Sequence, residues 1–129
     1  MTTFINFDDA DLSRYGLSAG AVAGNLVFAG AMALDLDTLQ RVPEAKTIAD
    51  ETRICLRELE RTLAEAGCTL KDLLKVNCYL TEDEYRTEFW ATYDEIFAPL
   101  GTRAVRLTQV AGVAGDCRVE LDAVAVRPG

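Results

Sequence analysis

The run Val119-Glu-Leu-Asp-Ala-Val-Ala-Val126 alternates apolar and polar at its start, the period of a β-strand with one buried face. Val119, Leu121, Ala123 and Ala125 share one side, and Glu120, Asp122, Val124 and Val126 share the other. The first side is wholly apolar and suits a core. The second sets two carboxylates beside two valines, which is out of place unless that side meets a ligand or another subunit. Upstream, Arg103-Ala-Val-Arg-Leu-Thr-Gln109 also reads as a strand. The intervening Val110-Ala-Gly-Val-Ala-Gly115 has two glycines that allow a turn. Folded as a hairpin about residues 113 and 114, the two runs set Glu120 opposite Leu107, on the face of Arg103. Arg103 then stands roughly 13 Å from that level, too far for a salt bridge. Charges so spaced can address opposite ends of a small substrate, or belong to sites shared between chains. A solvated sheet face with scattered charges explains the same residues, and from these residues alone it is the simpler account.

The rest of the chain supplies the elements that such a sheet needs. Phe4-Ile-Asn-Phe7 reads as a short edge strand, followed by the polar loop Asp8-Asp-Ala-Asp11. Two short runs, Ser18 to Ala23 and Leu26 to Gly30, are joined by Gly24-Asn25, a hairpin signal because both residues tolerate positive φ. The small residues from 29 to 31 leave room for close approach to the backbone, or simply for tight packing. Asp35 to Glu44, with Pro43, reads as a loop. Thr47 to Ala66 is a helix with Ile48, Cys55, Leu59, Leu63 and Ala66 on one side, a capping box at Thr47 and Asp50, and a stop at Gly67. Leu73 to Leu80 alternates as a strand. Glu82 to Ala98 is a second helix, with Phe89, Tyr93, Ile96 and Phe97 at helical spacing and a stop at Pro99 and Gly101. Trp90 falls beside that stripe, where it can pack or line an interface. The expected fold is α+β, one domain over residues 1–129, with a mixed β-sheet and two helices packed on one face. One helix layer cannot cover both faces of the sheet, so self-association is the expected cover for the other.

Composition narrows the chemistry. A formal net charge of −8 argues against nucleic acid or an anionic membrane as partner. No apolar run approaches a membrane span, and the start Met1-Thr-Thr-Phe lacks the basic stretch of a signal peptide, so a cytoplasmic location is expected. Cys55, Cys68, Cys78 and Cys117 form no CxxC pair and read as free thiols. The chain has no histidine, which removes the commonest general base, the commonest metal ligand and every Ser-His or Cys-His arrangement. No carboxylate or thiol spacing supports a metal site either.

Several stretches, taken in order, resemble the Rid (reactive intermediate deaminase, YjgF) family. They are Gly24-Asn25-Leu-Val-Phe with Asp35 beyond it, Leu63-Ala-Glu-Ala-Gly67, and Leu70-Lys-Asp-Leu-Leu-Lys-Val-Asn-Cys-Tyr-Leu-Thr81. Tyr93, Phe97, the Arg103 strand and Val119-Glu-Leu-Asp-Ala-Val-Ala125 complete the pattern. The resemblance implies a chorismate-mutase-like subunit in a homotrimer, with active sites in the clefts between chains and no cofactor. It implies hydrolysis of enamines or imines, such as 2-aminoacrylate, to an oxo acid and ammonia. Arg103 matches the arginine that grips the substrate carboxylate with two prongs, and Glu120 matches the glutamate that positions or activates water. Around them the pattern changes. Leu17 stands where many deaminating members have tyrosine, with Tyr15 two residues earlier. Gly30-Ala31 stands for Ser-Gly, Val105 for a cysteine and Trp90 for an asparagine. Glu51 and Glu58 stand for a glutamine and an asparagine, and the loop before Glu120 is longer and lacks its proline. Leu17, Gly30, Ala31, Trp90 and Val105, with Arg103, therefore describe a more apolar pocket for a substrate other than 2-aminoacrylate. An isomerase or cyclase of a related intermediate, and a binding or protective trimer without chemistry, are the alternatives.

Overall fold

A computed structural model describes residues 1–129. Along the chain run β1 (Thr2–Ile5), β2 (Gly20–Ala23), β3 (Leu26–Met32), β4 (Leu34–Asp35), β5 (Gln40–Arg41) and α1 (Ile48–Glu65). They are followed by β6 (Leu73–Leu80), α2 (Arg86–Phe97), β7 (Val105–Val110) and β8 (Val119–Val126). Six strands form one sheet in the order β1-β2-β3-β8-β6-β7, and β4 with β5 makes a separate ribbon. Every neighbouring pair in the sheet is antiparallel except β6 with β7, so the sheet is mixed and the fold is α+β, as the sequence predicts.

The hairpin between the last two strands does not form. β8 pairs with β3 on one side and β6 on the other, while β7 lies beyond β6 and runs parallel to it. Glu120 is therefore across from Met32 and Tyr79, not Leu107. The reason lies in burial. β6 fully buries Val76, Cys78 and Leu80, and β8 fully buries Val119, Leu121 and Ala125, so both belong in the middle of the sheet. β7 buries none of its residues and serves as an edge. A parallel neighbour requires a long crossover, and α2 supplies it. The segment after β7 then wraps the end of β6, held by Ala111 N–H to Leu80 O (2.9 Å) and Thr81 N–H to Arg118 O (3.1 Å).

Local signals account for most of the other elements. Thr47 and Asp50 close the expected capping box at α1. Gly24, at φ 63°, turns the chain between β2 and β3. Three boundaries shift: β1 ends at Ile5, the residues before Arg86 form a 3-10 turn over Asp83–Tyr85, and the expected loop after residue 34 contains the β4–β5 ribbon.

The core lies between the helices and the inner side of the sheet. Leu56, Leu59 and Leu63 of α1 and Phe89, Tyr93 and Phe97 of α2 are buried with the inward residues of β3, β6 and β8. Tyr93 stacks on Phe97 with ring centroids 4.2 Å apart. Alanines at 29, 31, 123 and 125 keep the surface under α1 low. At Gly20 the approach is closer still, because a Cβ there would stand 2.6 Å from Thr62 Cγ2 and 3.0 Å from Phe28 O. All four cysteines are free and buried. Burial pushes the Cys78 thiol up to about 12 and the Cys117 thiol to about 11, so neither is poised as a nucleophile. The outer face is less covered: Phe28, Val105 and Leu107 are 45%, 64% and 43% exposed.

Candidate active site

A cavity of about 970 Å³ opens between the segment from Phe7 to Ala19, the end of β3 with the following residues, and one side of α1. Leu17, Gly30, Ala31 and Glu120 all line it. Gly30 contributes bare backbone, and a Cβ added there would touch nothing closer than Leu121 O at 3.7 Å. Tyr15, the nearest tyrosine to the Leu17 position, is not among the lining residues. Its hydroxyl donates to Leu36 O (2.9 Å) and Arg14 lies over its ring, so it ties the first segment down.

Glu120 is the second residue of β8, on the outer face, and is half-buried. Burial pushes its carboxyl above the ordinary glutamate range, and the negative charge of Asp122 adds to the shift. Such a group can take and return a proton closer to neutrality than an exposed glutamate.

The strand that carries Glu120 is anchored by a residue whose role the sequence did not announce. The Glu51 side chain is 0% exposed. Its Oε2 accepts from the backbone N–H groups of Arg118 (2.6 Å) and Val119 (2.9 Å), and its Oε1 accepts from Arg118 Nε (2.8 Å). The Arg118 guanidinium also donates to Ala45 O and Lys46 O, just ahead of α1. One carboxylate thus pins the start of β8 to the first turn of α1, one residue before Glu120. A signal was available, since Glu51 falls on the same side of the helix as Ile48 and Cys55, where a lone carboxylate needs partners.

Arg103, Val105 and Trp90 lie elsewhere. Val105 pairs with Lys75, and Lys75 with Val124, whereas Glu120 is level with Tyr79 and Gln109. Four residues along the strand and two strands across put Val105 roughly 16 Å from Glu120. Arg103 lies further out, exposed in the segment ahead of β7. Trp90 covers the same edge from the helix side. Its indole N–H donates to Thr108 Oγ1 (3.0 Å), and the guanidinium groups of Arg86 and Arg106 each lie 5.4 Å from its ring. Within one chain the predicted residues therefore fall into two groups on different parts of the sheet.

The fold matches that of known proteins. A crystal structure of a Thermotoga maritima protein, provisionally assigned as an endoribonuclease, superposes with a TM-score of 0.84 at 29% identity, covering 100% of both chains. The YjgF gene product of E. coli superposes with a TM-score of 0.82 at 21% identity, over 98% of this chain and 99% of that one. A RutC family protein of Synechocystis is 31% identical over 108 residues, 84% of this chain and 82% of the relative. The family model described as endoribonuclease L-PSP matches residues 10–127. The chain belongs to this family, the YjgF/Rid proteins.

Proposed function

We propose that the protein is a cofactor-independent deaminase that hydrolyses a carboxylate-bearing enamine or imine to a carbonyl compound and ammonia. The observation that carries this reading is Glu120, a half-buried carboxyl with raised proton affinity in the wall of a cavity. An enamine tautomerises to the imine. Water then adds to the C=N carbon, Glu120 taking one proton from it and returning one to nitrogen. The C–N bond of the carbinolamine breaks and ammonia leaves, with the carbonyl remaining. No metal or redox partner enters this balance. The ribonuclease name borne by some relatives fits this chain less well, because a net charge of −8 repels RNA and no histidine is present for acid–base cleavage.

The carboxylate anchor is Arg103, whose guanidinium can hold a carboxylate with two parallel hydrogen bonds. One chain keeps Arg103 and Glu120 too far apart for a small substrate, so each site takes Leu17, Gly30, Ala31 and Glu120 from one subunit. Arg103 and Val105, with Trp90 at the rim, come from the next. A homotrimer satisfies this and covers the apolar outer face, including Phe28 and Leu107. Leu17 and Val105 make the pocket apolar, which favours a substrate bulkier than 2-aminoacrylate. No helix is long and apolar enough to cross a membrane.

Complementation tests the shared site. Arg103→Ala and Glu120→Gln should each lose turnover of freshly generated enamine, read as oxo acid and ammonia. Dissociated, mixed in equal amounts and reassembled, the two inactive variants should regain activity at about one-quarter of the sites, since random assembly unites intact halves that often. Arg103→Lys should rescue poorly. Parental turnover in both single variants would leave the two residues as sheet-face charges. Inactive singles that never complement would place the whole site in one chain. A product of unchanged mass without ammonia would point to an isomerase or cyclase.

A further inference from the structure

The outer face carries a polar cluster that the reaction above does not use. Asp122 Oδ1 accepts from Asn77 Nδ2 (2.8 Å), and its Oδ2 accepts from the Tyr79 hydroxyl (3.0 Å). Strand register explains the geometry. Asn77 lies directly across from Asp122 and Tyr79 directly across from Glu120, so the phenol reaches diagonally past Glu120 to the next carboxylate. On the other side, β3 sets Gly30 across from Asp122 and Met32 across from Glu120, and neither has a side-chain donor. Asn77 Oδ1 is buried and has no hydrogen-bond partner, so this amide is oriented by Asp122 alone. Both Asp122 oxygens accept, the arrangement that suits a carboxylate anion.

Within one chain, the other ionisable groups around Glu120 do not neutralise it, and the cation that the proposed site adds is Arg103 of the next subunit. Tyr79 faces it from β6, and Cys55 of α1 and Cys117 ahead of β8 feel its charge from the inner side. In the cavity wall, Arg14 is paired with Asp37, and Arg61 with Asp9 and Glu58. Asp35 spends its carboxylate on the N–H groups of Asp37 and Thr38.

We propose that Asp122, fixed by Tyr79 and Asn77, is a positioning residue for Glu120, its carboxylate held two residues along the same strand face so that Glu120 retains and then releases the proton that the reaction moves. Within one chain, burial and Asp122 are the influences that act on Glu120, with no hydrogen-bond donor among them. Tyr79 responds in kind: its hydrogen bond to Asp122 pushes the phenol up and keeps it a donor. The inference rests on the proposed role of Glu120, and its test separates the two.

The intact protein, labelled with 13C at glutamate carboxyls, is titrated by NMR, with Glu120→Gln assigning the Glu120 signal. Asp122→Asn removes the charge but keeps an acceptor for Tyr79. It should move the Glu120 midpoint to lower pH and move the acid limb of the kcat/KM profile with it. Tyr79→Phe keeps both carboxylates but withdraws a donor, and should move the midpoint the other way. If Asp122→Asn does not fold, the upward shift in Tyr79→Phe decides alone. A Glu120 midpoint unmoved in the folded variants overturns the inference, even when Glu120→Gln is inactive and the deaminase reading stands. Opposite shifts with no change in the kcat/KM profile would overturn it as well, since Asp122 would then position nothing that the reaction uses.

Discussion

Replacing Glu51 should cost more stability than replacing any surface carboxylate, and the size of the loss follows from its partners. In Glu51→Ala two backbone N–H groups, of Arg118 and Val119, lose their acceptor inside the protein. The Arg118 guanidinium, whose side chain is 20% exposed, loses its counter-charge and keeps only the Ala45 and Lys46 carbonyls. Breaking a buried ion pair by removing one partner costs about 3–5 kcal/mol, a large share of the about 5–15 kcal/mol that holds a domain folded. Glu51→Gln, the residue that the family resemblance places here, is gentler. Its amide oxygen can still accept both backbone N–H groups, but its NH2 then confronts Arg118 Nε. The loss should be that of one charged hydrogen bond, about 1.5–3 kcal/mol. The exposed pairs Arg14–Asp37 and Arg53–Glu95 provide the contrast, at about 0–1 kcal/mol each. Urea unfolding followed by circular dichroism checks the order, Ala above Gln above the surface controls. A Glu51→Ala protein within about 1 kcal/mol of the parent, at unchanged m-value, would refute the clamp, since no set of orphaned donors that large is so cheap.

Two further outcomes follow from the geometry. Gly20→Ala should destabilise by about 1–3 kcal/mol, because its Cβ would meet the buried, β-branched Thr62, and Thr62→Ala in the same chain should recover part of the loss in a thermal melt. Glu120→Gln should unfold at the same or higher urea concentration than the parent at neutral pH. Its carboxyl is raised in the folded state, so its favourable contribution belongs to the protonated form and is lost as pH rises through the folded value; the parent's advantage should reappear only on acidification.

The periodic elements were legible because burial imposes the period directly. α1 came with its capping box, β6 with its alternation, and the two sides of β8 with their separate chemistries. What periodicity does not encode is which strand lies beside which. β7 and β8 do run antiparallel, as a hairpin reading requires, but β6 lies between them. Only the absence of any buried residue in β7 betrays it as an edge. The β4–β5 ribbon was hidden for a different reason: it turns on Leu39 at φ 59°, a conformation in which sequence rules expect glycine or asparagine.

That misplaced neighbour also decides what could be read of the site. With β7 set against β8, Arg103 and Glu120 could address opposite ends of a small substrate, belong to sites shared between chains, or be scattered charges on a solvated face. With β6 between them a single chain holds the two residues well apart, and that register supports the shared site proposed above. The same insertion brings Tyr79 and Asn77 against Asp122, contacts that no reading of β8 alone could have foreseen. Residues that are three or four apart on a helix, or two apart on a strand, declare themselves in a sequence. Residues joined by strand order do so only once the order is known. In this chain the anchor of Glu120 belongs to the first kind, for Glu51 lies on the stripe of α1, and its electrostatic setting belongs to the second.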